Sequence, residues 1–213
     1  MIVSVSAILV VRKNHNNYLI EALNSVYAQS YLPEQVILIL GRNTVINKKE
    51  LKKKYQDLIV CRQKNVSLSS ARNFGVKKSK SKYIAFLDYD DIWPIKRIEY
   101  LYKAIINKKS SYVFGKMCQF YSKRKKKIFF KKKLTSNFTC SLIRKNLFYQ
   151  IGLLDIKVKI SELIWYRNLL NKKILTKKIY KNVLYRRIHN NNWTRDKNKI
   201  YKDYIKTILL MRN

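Results

Sequence analysis

Three carboxylates, Asp88, Asp90 and Asp91, fall within four consecutive residues of a chain that holds 47 Lys or Arg and only 12 Asp or Glu. Like charges that close repel, so the cluster requires hydrogen-bond donors or a cation to hold it together. It lies in FLDYDDIWP, residues 86–94, where an apolar run gives way to Asp-x-Asp and then to an aromatic residue and a proline. Carboxylates in that spacing suit a divalent cation that leaves room for phosphate oxygens. Such a cation neutralises the charge that develops on a departing diphosphate. The tripeptide alone is weakly specific, because the same residues also make a turn with Asp91 capping the next helix.

The elements that must position this cluster are legible upstream of it. IVSVSAILVV, residues 2–11, is a continuous Val/Ile-rich run, the pattern of a strand buried on both faces. A turn over Asn14–Asn17 follows, then Tyr18, Leu19, Ala22, Leu23, Val26 and Tyr27 at helical spacing. Strands are predicted over 35–40, 58–61 and 82–88, with helices over 48–55 and 68–78 between them. Pro94 marks the start of a further helix whose apolar face is Ile95, Ile98, Leu101, Tyr102 and Ile105. Strand and helix in alternation define a mainly parallel α/β sheet flanked by helices. Such sheets bind ligands at the carboxyl ends of their strands, and the acid cluster lies at one of those ends.

The second half changes character. Strands are predicted over 111–122, in KIFF, over 139–145 and over 181–189, a short helix ending in a turn over 147–155, and helices over 162–171 and 196–211. The last helix gathers Ile200, Tyr204, Ile205, Ile208 and Leu209 on one face. No internal repeat and no long linker is evident, and 213 residues suit one compact domain of two linked halves.

Composition bounds the function. The net charge of +35 coexists with 47% apolar residues, so the chain has enough hydrophobic surface to fold. The excess is mostly lysine spread along the chain, which reads as a solvated surface shaped by codon bias rather than as a nucleic-acid footprint. One exception is KRKKKIFFKKK, residues 123–133. No apolar run reaches the roughly 18 residues of a membrane span, and the apolar start lacks the flanks of a signal peptide. The odd, scattered Cys61, Cys118 and Cys140 suggest neither a disulfide framework nor a zinc site. The expectation is a reduced, cytoplasmic protein.

SLSSARNFGVKKSKSKYIAFLDYDDIW, residues 67–93, resembles the nucleotide-binding half of the family 2 glycosyltransferases, which have the GT-A fold. Ala71, Arg72, Asn73 and Gly75 stand at that family's spacing ahead of Asp88, Asp90 and Asp91. The opening strand with YLIEALNSVYAQSYLP, then Gly152 and Asp155, Glu162, and RIHNNN (187–192) extend the resemblance over roughly residues 2–192. It implies a nucleotide-sugar-binding half over 1–107 and an acceptor-binding half over 108–192, followed by a C-terminal amphipathic helix over 193–213.

The resemblance implies roles residue by residue. Asp88 contacts the ribose of a sugar nucleotide, Asp90 binds Mn²⁺ or Mg²⁺ with Asp91 in support, and Arg72 reaches the nucleotide or its phosphates. His189 assists the metal or the diphosphate, and Glu162 stands where the family has an acidic general base. Elimination also favours Glu162. Of the acids after Asp91, Glu99 lies on a polar helix face, Asp155 follows Gly-Leu-Leu at a turn, and Asp196 and Asp203 are terminal. The implied reaction is metal-dependent, inverting transfer of a sugar to a hydroxyl of an envelope glycan or lipid-linked saccharide.

The chain also departs from the family pattern. Its second strand ends Ile39-Leu40-Gly41-Arg42-Asn43 without the acid that reads the nucleotide base, and Asn43 is the side chain left to replace it. The first strand lacks the usual Pro, having Val10-Val11-Arg12, and Ser67 replaces a common Gly. These departures keep alive a fold-retaining pseudoenzyme that binds a glycan or partner. A nucleic-acid-binding module ranks last, because the acid triplet would repel phosphates. The basic 123–133 segment and the terminal helix suit peripheral contact with anionic lipid on the inner face of the cell membrane, or else a solvated hairpin and a packing helix.

Overall fold

The computed structural model describes residues 1–11, 16–64, 67–107, 110–123, 126–190, 192 and 196–212. Arg12, the Asn14–His15 part of the expected first turn, and Asn191 of the RIHNNN motif lie outside them. The strands are β1 (Ile2–Val11), β2 (Leu32–Leu40), β3 (Ile59–Arg62), β4 (Tyr83–Asp88), β5 (Tyr112–Lys123), β6 (Lys126–Leu134), β7 (Ser141–Arg144) and β8 (Thr176–Arg187). The helices are α1 (Asn16–Tyr27), α2 (Lys48–Lys54), α3 (Leu68–Lys78), α4 (Arg97–Ile106), α5 (Leu147–Gln150), α6 (Ser161–Asn171) and α7 (Lys197–Arg212), with a 3-10 turn at Phe138–Cys140.

One sheet of order β3-β2-β1-β4-β7-β5-β6 holds these strands, with β8 joined to β5. β1 pairs in parallel with β2 and β4, and β2 with β3. β7 is antiparallel to both β4 and β5, and so it joins the two halves of the chain into a single sheet. β8 runs parallel to β5 along Tyr112–Phe120. A strand has only two edges, so β7 and β6 share the other edge of β5, one at each end.

β1 lies centrally because both of its faces are apolar. Val3, Val5, Ala7, Leu9 and Val11 pack on one side with α1, α2 and α4 residues such as Leu23, Leu51 and Leu101. Ile8 and Val10 pack on the other side with α3, α5 and α6 residues such as Ala71, Phe148 and Trp165. This period-two division of an unbroken hydrophobic run is what a parallel strand covered by helices on both sides requires.

Three expectations need correction. α4 begins at Arg97, three residues after Pro94, because Ile95 and Lys96 form a turn closed by Arg97 N–H donating to Pro94 O at 2.9 Å. Ile95 is accordingly 61% exposed, and the buried place falls to Arg97, whose guanidinium lies over the Trp93 ring and donates to Thr139 O and Ser141 O. β8 starts at Thr176, five residues ahead of the predicted Lys181, because β5 supplies a pairing edge for residues with no strand pattern of their own. The five apolar residues grouped on one face of the last helix are not placed alike: Ile200 is half-buried, whereas Tyr204, Ile205, Ile208 and Leu209 are exposed.

Candidate active site

β4 delivers the acid cluster. Asp88 is its last residue and stands in register with Val10 of β1, at the carboxyl ends of both strands. The chain then turns, with Asp91 N–H donating to Asp88 O at 3.1 Å, and Ile92 forms a two-bond bridge with Tyr185 of β8. Asp91 faces inward and is 5% exposed, and its Oδ1 accepts the Arg187 N–H at 2.9 Å. It fastens β8 to the acid loop, with its carboxylate engaged away from solvent.

Arg187 completes that fastening. Its Nε donates to Asp90 O at 2.9 Å, Nη1 to Ser122 Oγ at 3.1 Å and Nη2 to Glu21 Oε2 at 3.0 Å. The guanidinium lies between the Tyr18 and Phe120 rings, 4.4 and 4.9 Å from their centroids. One buried cation thus ties α1, the acid loop, β5 and β8 together.

The Asp90 side chain points to the segment after β8. Its Oδ2 lies 2.9 Å from His189 Nε2 and 3.5 Å from Asn192 Nδ2, and Asn192 Oδ1 accepts the His189 backbone N–H at 2.7 Å. Burial, and then the charge of Asp88, push the Asp90 carboxyl above its ordinary value against the opposing pull of His189. Burial also raises Asp91, with Asp90 and Asp88 adding to it. Ionisation of these two carboxyls is therefore costly unless a cation or further donors approach the loop.

α3 brings in the cation, and each residue of its motif has a physical task. Ala71 is buried against the sheet. Asn73 exchanges two bonds with Leu154, Nδ2 to O at 2.8 Å and N–H to Oδ1 at 2.9 Å. A Cβ on Gly75 would come within 2.5 Å of Ile8 Cγ2, so only glycine lets α3 lie this close to β1. Held there, Arg72 is buried over the Phe86 ring and donates to Asp88 Oδ1 at 3.0 Å. Its Nη1 is paired with Glu162 Oε1.

Glu162 comes from the first turn of α6, which Ser161 anchors to Ser69 of α3 through a 2.7 Å hydroxyl contact. Its Oε2 accepts the Phe138 N–H at 3.3 Å, and its side chain keeps 25% exposure. One guanidinium therefore spans Asp88 and Glu162, with the exposed part of each carboxylate left to face a ligand.

The structure does not bring Asn43 into this group. It lies in an exposed turn after β2. That turn is held by Arg62, which donates to the carbonyls of Gly41, Arg42 and Thr44 at 2.8–2.9 Å. A groove of about 540 Å³ opens beside it, lined by Arg42, Arg62, Gln63 and Lys64. Arg62 and Gln63 carried no sequence signal, since a single Arg-Gln after a short strand matches no pattern. Arg187 and Asn192 lay inside the RIHNNN motif, but only the fold assigns their contacts.

Among the described residues no group of three or more His, Cys, Asp or Glu side chains forms a metal site by itself. The Asp90 carboxylate beside the His189 imidazole is an oxygen and nitrogen pair, with 16% and 11% side-chain exposure, in a locally anionic loop. That donor set fits a divalent ion that takes its remaining ligands from phosphate and water.

Comparisons with known proteins bear on the fold and the family. The Staphylococcus aureus TarS 1-349 crystal structure superposes with a TM-score of 0.69 at 17% identity, covering 86% of this chain and 60% of that one. The same protein in complex with UDP-GlcNAc gives 0.67 at 15% identity, with 90% and 60% covered. The chain therefore has the GT-A fold. Residues 6–185 match the sequence model of Glycosyl transferase family 2, and the chain belongs to that family. Among curated relatives, an uncharacterized glycosyltransferase of Rickettsia bellii is 38% identical over 88 residues, 40% of this chain and 13% of its own length. The minor teichoic acid biosynthesis protein GgaB of Bacillus subtilis is 35% identical over 81 residues, 35% of this chain and 9% of its own length. The chain thus matches only a small part of these two relatives.

Proposed function

We propose that the protein transfers a sugar from a nucleotide-diphosphate donor to an acceptor hydroxyl, with inversion, in the synthesis of a cell-envelope glycan. The observation that carries this reading is the convergence of Asp88, Asp90, Arg72, His189 and Glu162 at the carboxyl end of β4. Family membership supports the reaction class, and the UDP-GlcNAc complex of TarS and the teichoic acid role of GgaB support the donor and acceptor classes.

Asp90 and His189 would hold Mn²⁺ or Mg²⁺, which when bound offsets the charge that develops on the diphosphate. Arg72, fixed by packing and shared between Asp88 and Glu162, holds those two carboxylates in place at the donor site. Asp88, at the strand end, is placed to accept from a ribose hydroxyl. Glu162 accepts the acceptor proton at its carboxylate, as attack proceeds from the face opposite the leaving diphosphate. The Phe138 N–H and Arg72 keep that carboxylate oriented.

The test is a thermal-shift panel of UDP-, GDP-, CMP- and dTDP-sugars with Mn²⁺ or Mg²⁺, repeated on Asp90→Ala. Metal-dependent stabilisation by one nucleotide, lost in the variant, is expected. Stabilisation by none, in a protein that melts cooperatively, would favour the pseudoenzyme. The exposed Asn43, where a base-reading acid is absent, is the observation behind that second reading.

A further inference from the structure

α7 presents its apolar stripe outward. Ile200, Asp203, Thr207 and Met211 recur every three or four residues and form its inward side; Thr207 is 1% exposed, and Asp203 pairs with Lys159 at 3.0 Å. Tyr204, Ile208, Tyr201, Ile205 and Leu209 follow in that order around the helix from the inward side, each at least 41% exposed. Lys202 and Lys206, both exposed, follow next around the helix at 3.6 residues per turn. An apolar arc with lysines along its outer border is the pattern of a segment that lies in a lipid interface.

We propose that α7 is a peripheral anchor for an anionic lipid surface, with the Tyr201–Leu209 stripe among the acyl chains and the lysines at the headgroups. Charge selects this occupant. A second copy of the chain would bring another +35 to the same contact, and repulsion opposes that pairing. An anionic bilayer attracts the same charge and accepts aliphatic and tyrosine side chains together. No helix among the described residues is long and apolar enough to cross a membrane, so the contact is in-plane. The proposal does not depend on the transfer reaction.

Flotation of the full chain tests it, with vesicles of phosphatidylcholine alone and of an equal mixture with phosphatidylglycerol. Wild type should float with the mixed vesicles and not with phosphatidylcholine. The double variant Ile208→Asn, Leu209→Asn leaves charge unchanged and alters only exposed positions, so its melting temperature should match wild type. Its partitioning should fall about tenfold or more. Equal flotation of wild type and variant would mean a purely electrostatic contact and overturn the proposal, as would no flotation of wild type. Concentration-dependent dimerisation in sedimentation velocity, lost in the variant while flotation is unchanged, would assign the stripe to a second copy instead.

Discussion

Asp91 shows how differently two neighbouring carboxylates are used. Its oxygen holds the Arg187 N–H in a site closed to water, whereas Asp90 meets His189 at a partly open edge. Burial first, then Asp90 and Asp88, raise the Asp91 carboxyl. A proton held more tightly in the folded than in the unfolded chain gives stability that is complete below the ordinary carboxylate value of about 4. That stability is lost as pH climbs through the raised folded value. Asp91→Asn keeps an acceptor for Arg187 and removes the buried charge, so it should stabilise the metal-free protein by roughly 1–3 kcal/mol at neutral pH. The gain should shrink toward pH 4, as paired wild-type and variant melts across pH would show. Glu162→Gln retains an acceptor for Phe138 N–H but cannot take a proton. Steady-state kinetics should show kcat lower by roughly 10²–10⁴-fold, with donor KM little changed.

At the scale of elements, the contact of α3 with β1 sets where Arg72 stands. Gly75→Ala would press a methyl group into Ile8 and should cost about 1–3 kcal/mol. Urea unfolding of Gly75→Ala, Ile8→Ala and the double variant should give a combined loss smaller than the sum, because removing the Ile8 side chain relieves the overlap. A strictly additive pair would mean that α3 shifts instead. The donor kinetics of Gly75→Ala then report whether Arg72 moved with it. Arg97 plays a comparable part behind the site. Fully buried, it holds the carbonyls of Thr139 and Ser141, flanking the segment whose Phe138 N–H meets Glu162.

The whole molecule carries +35 with few acids to offset it. β6 shows the local result: an exposed strand with Lys126, Lys127, Lys131, Lys132 and Lys133 beside Phe129 and Phe130. Lysines along an edge discourage pairing with another chain, which suits a strand with no described partner beyond β5. Self-repulsion at this charge opposes compactness and is screened over about 8 Å at physiological salt. The melting temperature should therefore rise as sodium chloride is added from low ionic strength, while vesicle flotation through α7 weakens over the same range. Two opposite salt responses from one protein would separate the fold's electrostatics from the docking surface. A melting temperature indifferent to salt would mean that the lysines are too dispersed to repel appreciably.

Local pattern by itself determined the alternation of strand and helix, the two-faced burial of β1, and the acid cluster at the end of β4. It did so because hydrophobic period and turn chemistry are properties of short segments. Ala71, Arg72, Asn73 and Gly75 were legible through their resemblance to a family motif; of these Gly75 answers to the strand beneath it, whereas Asn73 is held by Leu154, 81 residues away. Only the tertiary structure decided that Asp91 faces inward, that Arg72 is shared by Asp88 and Glu162, and that Arg187 clamps four elements. It alone turned the apolar stripe of α7 outward. Those outcomes depend on partners far apart in the chain, such as Asp90 and His189 at a separation of 99 residues. Their meeting is set by how β8 packs along β5, which no local periodicity records.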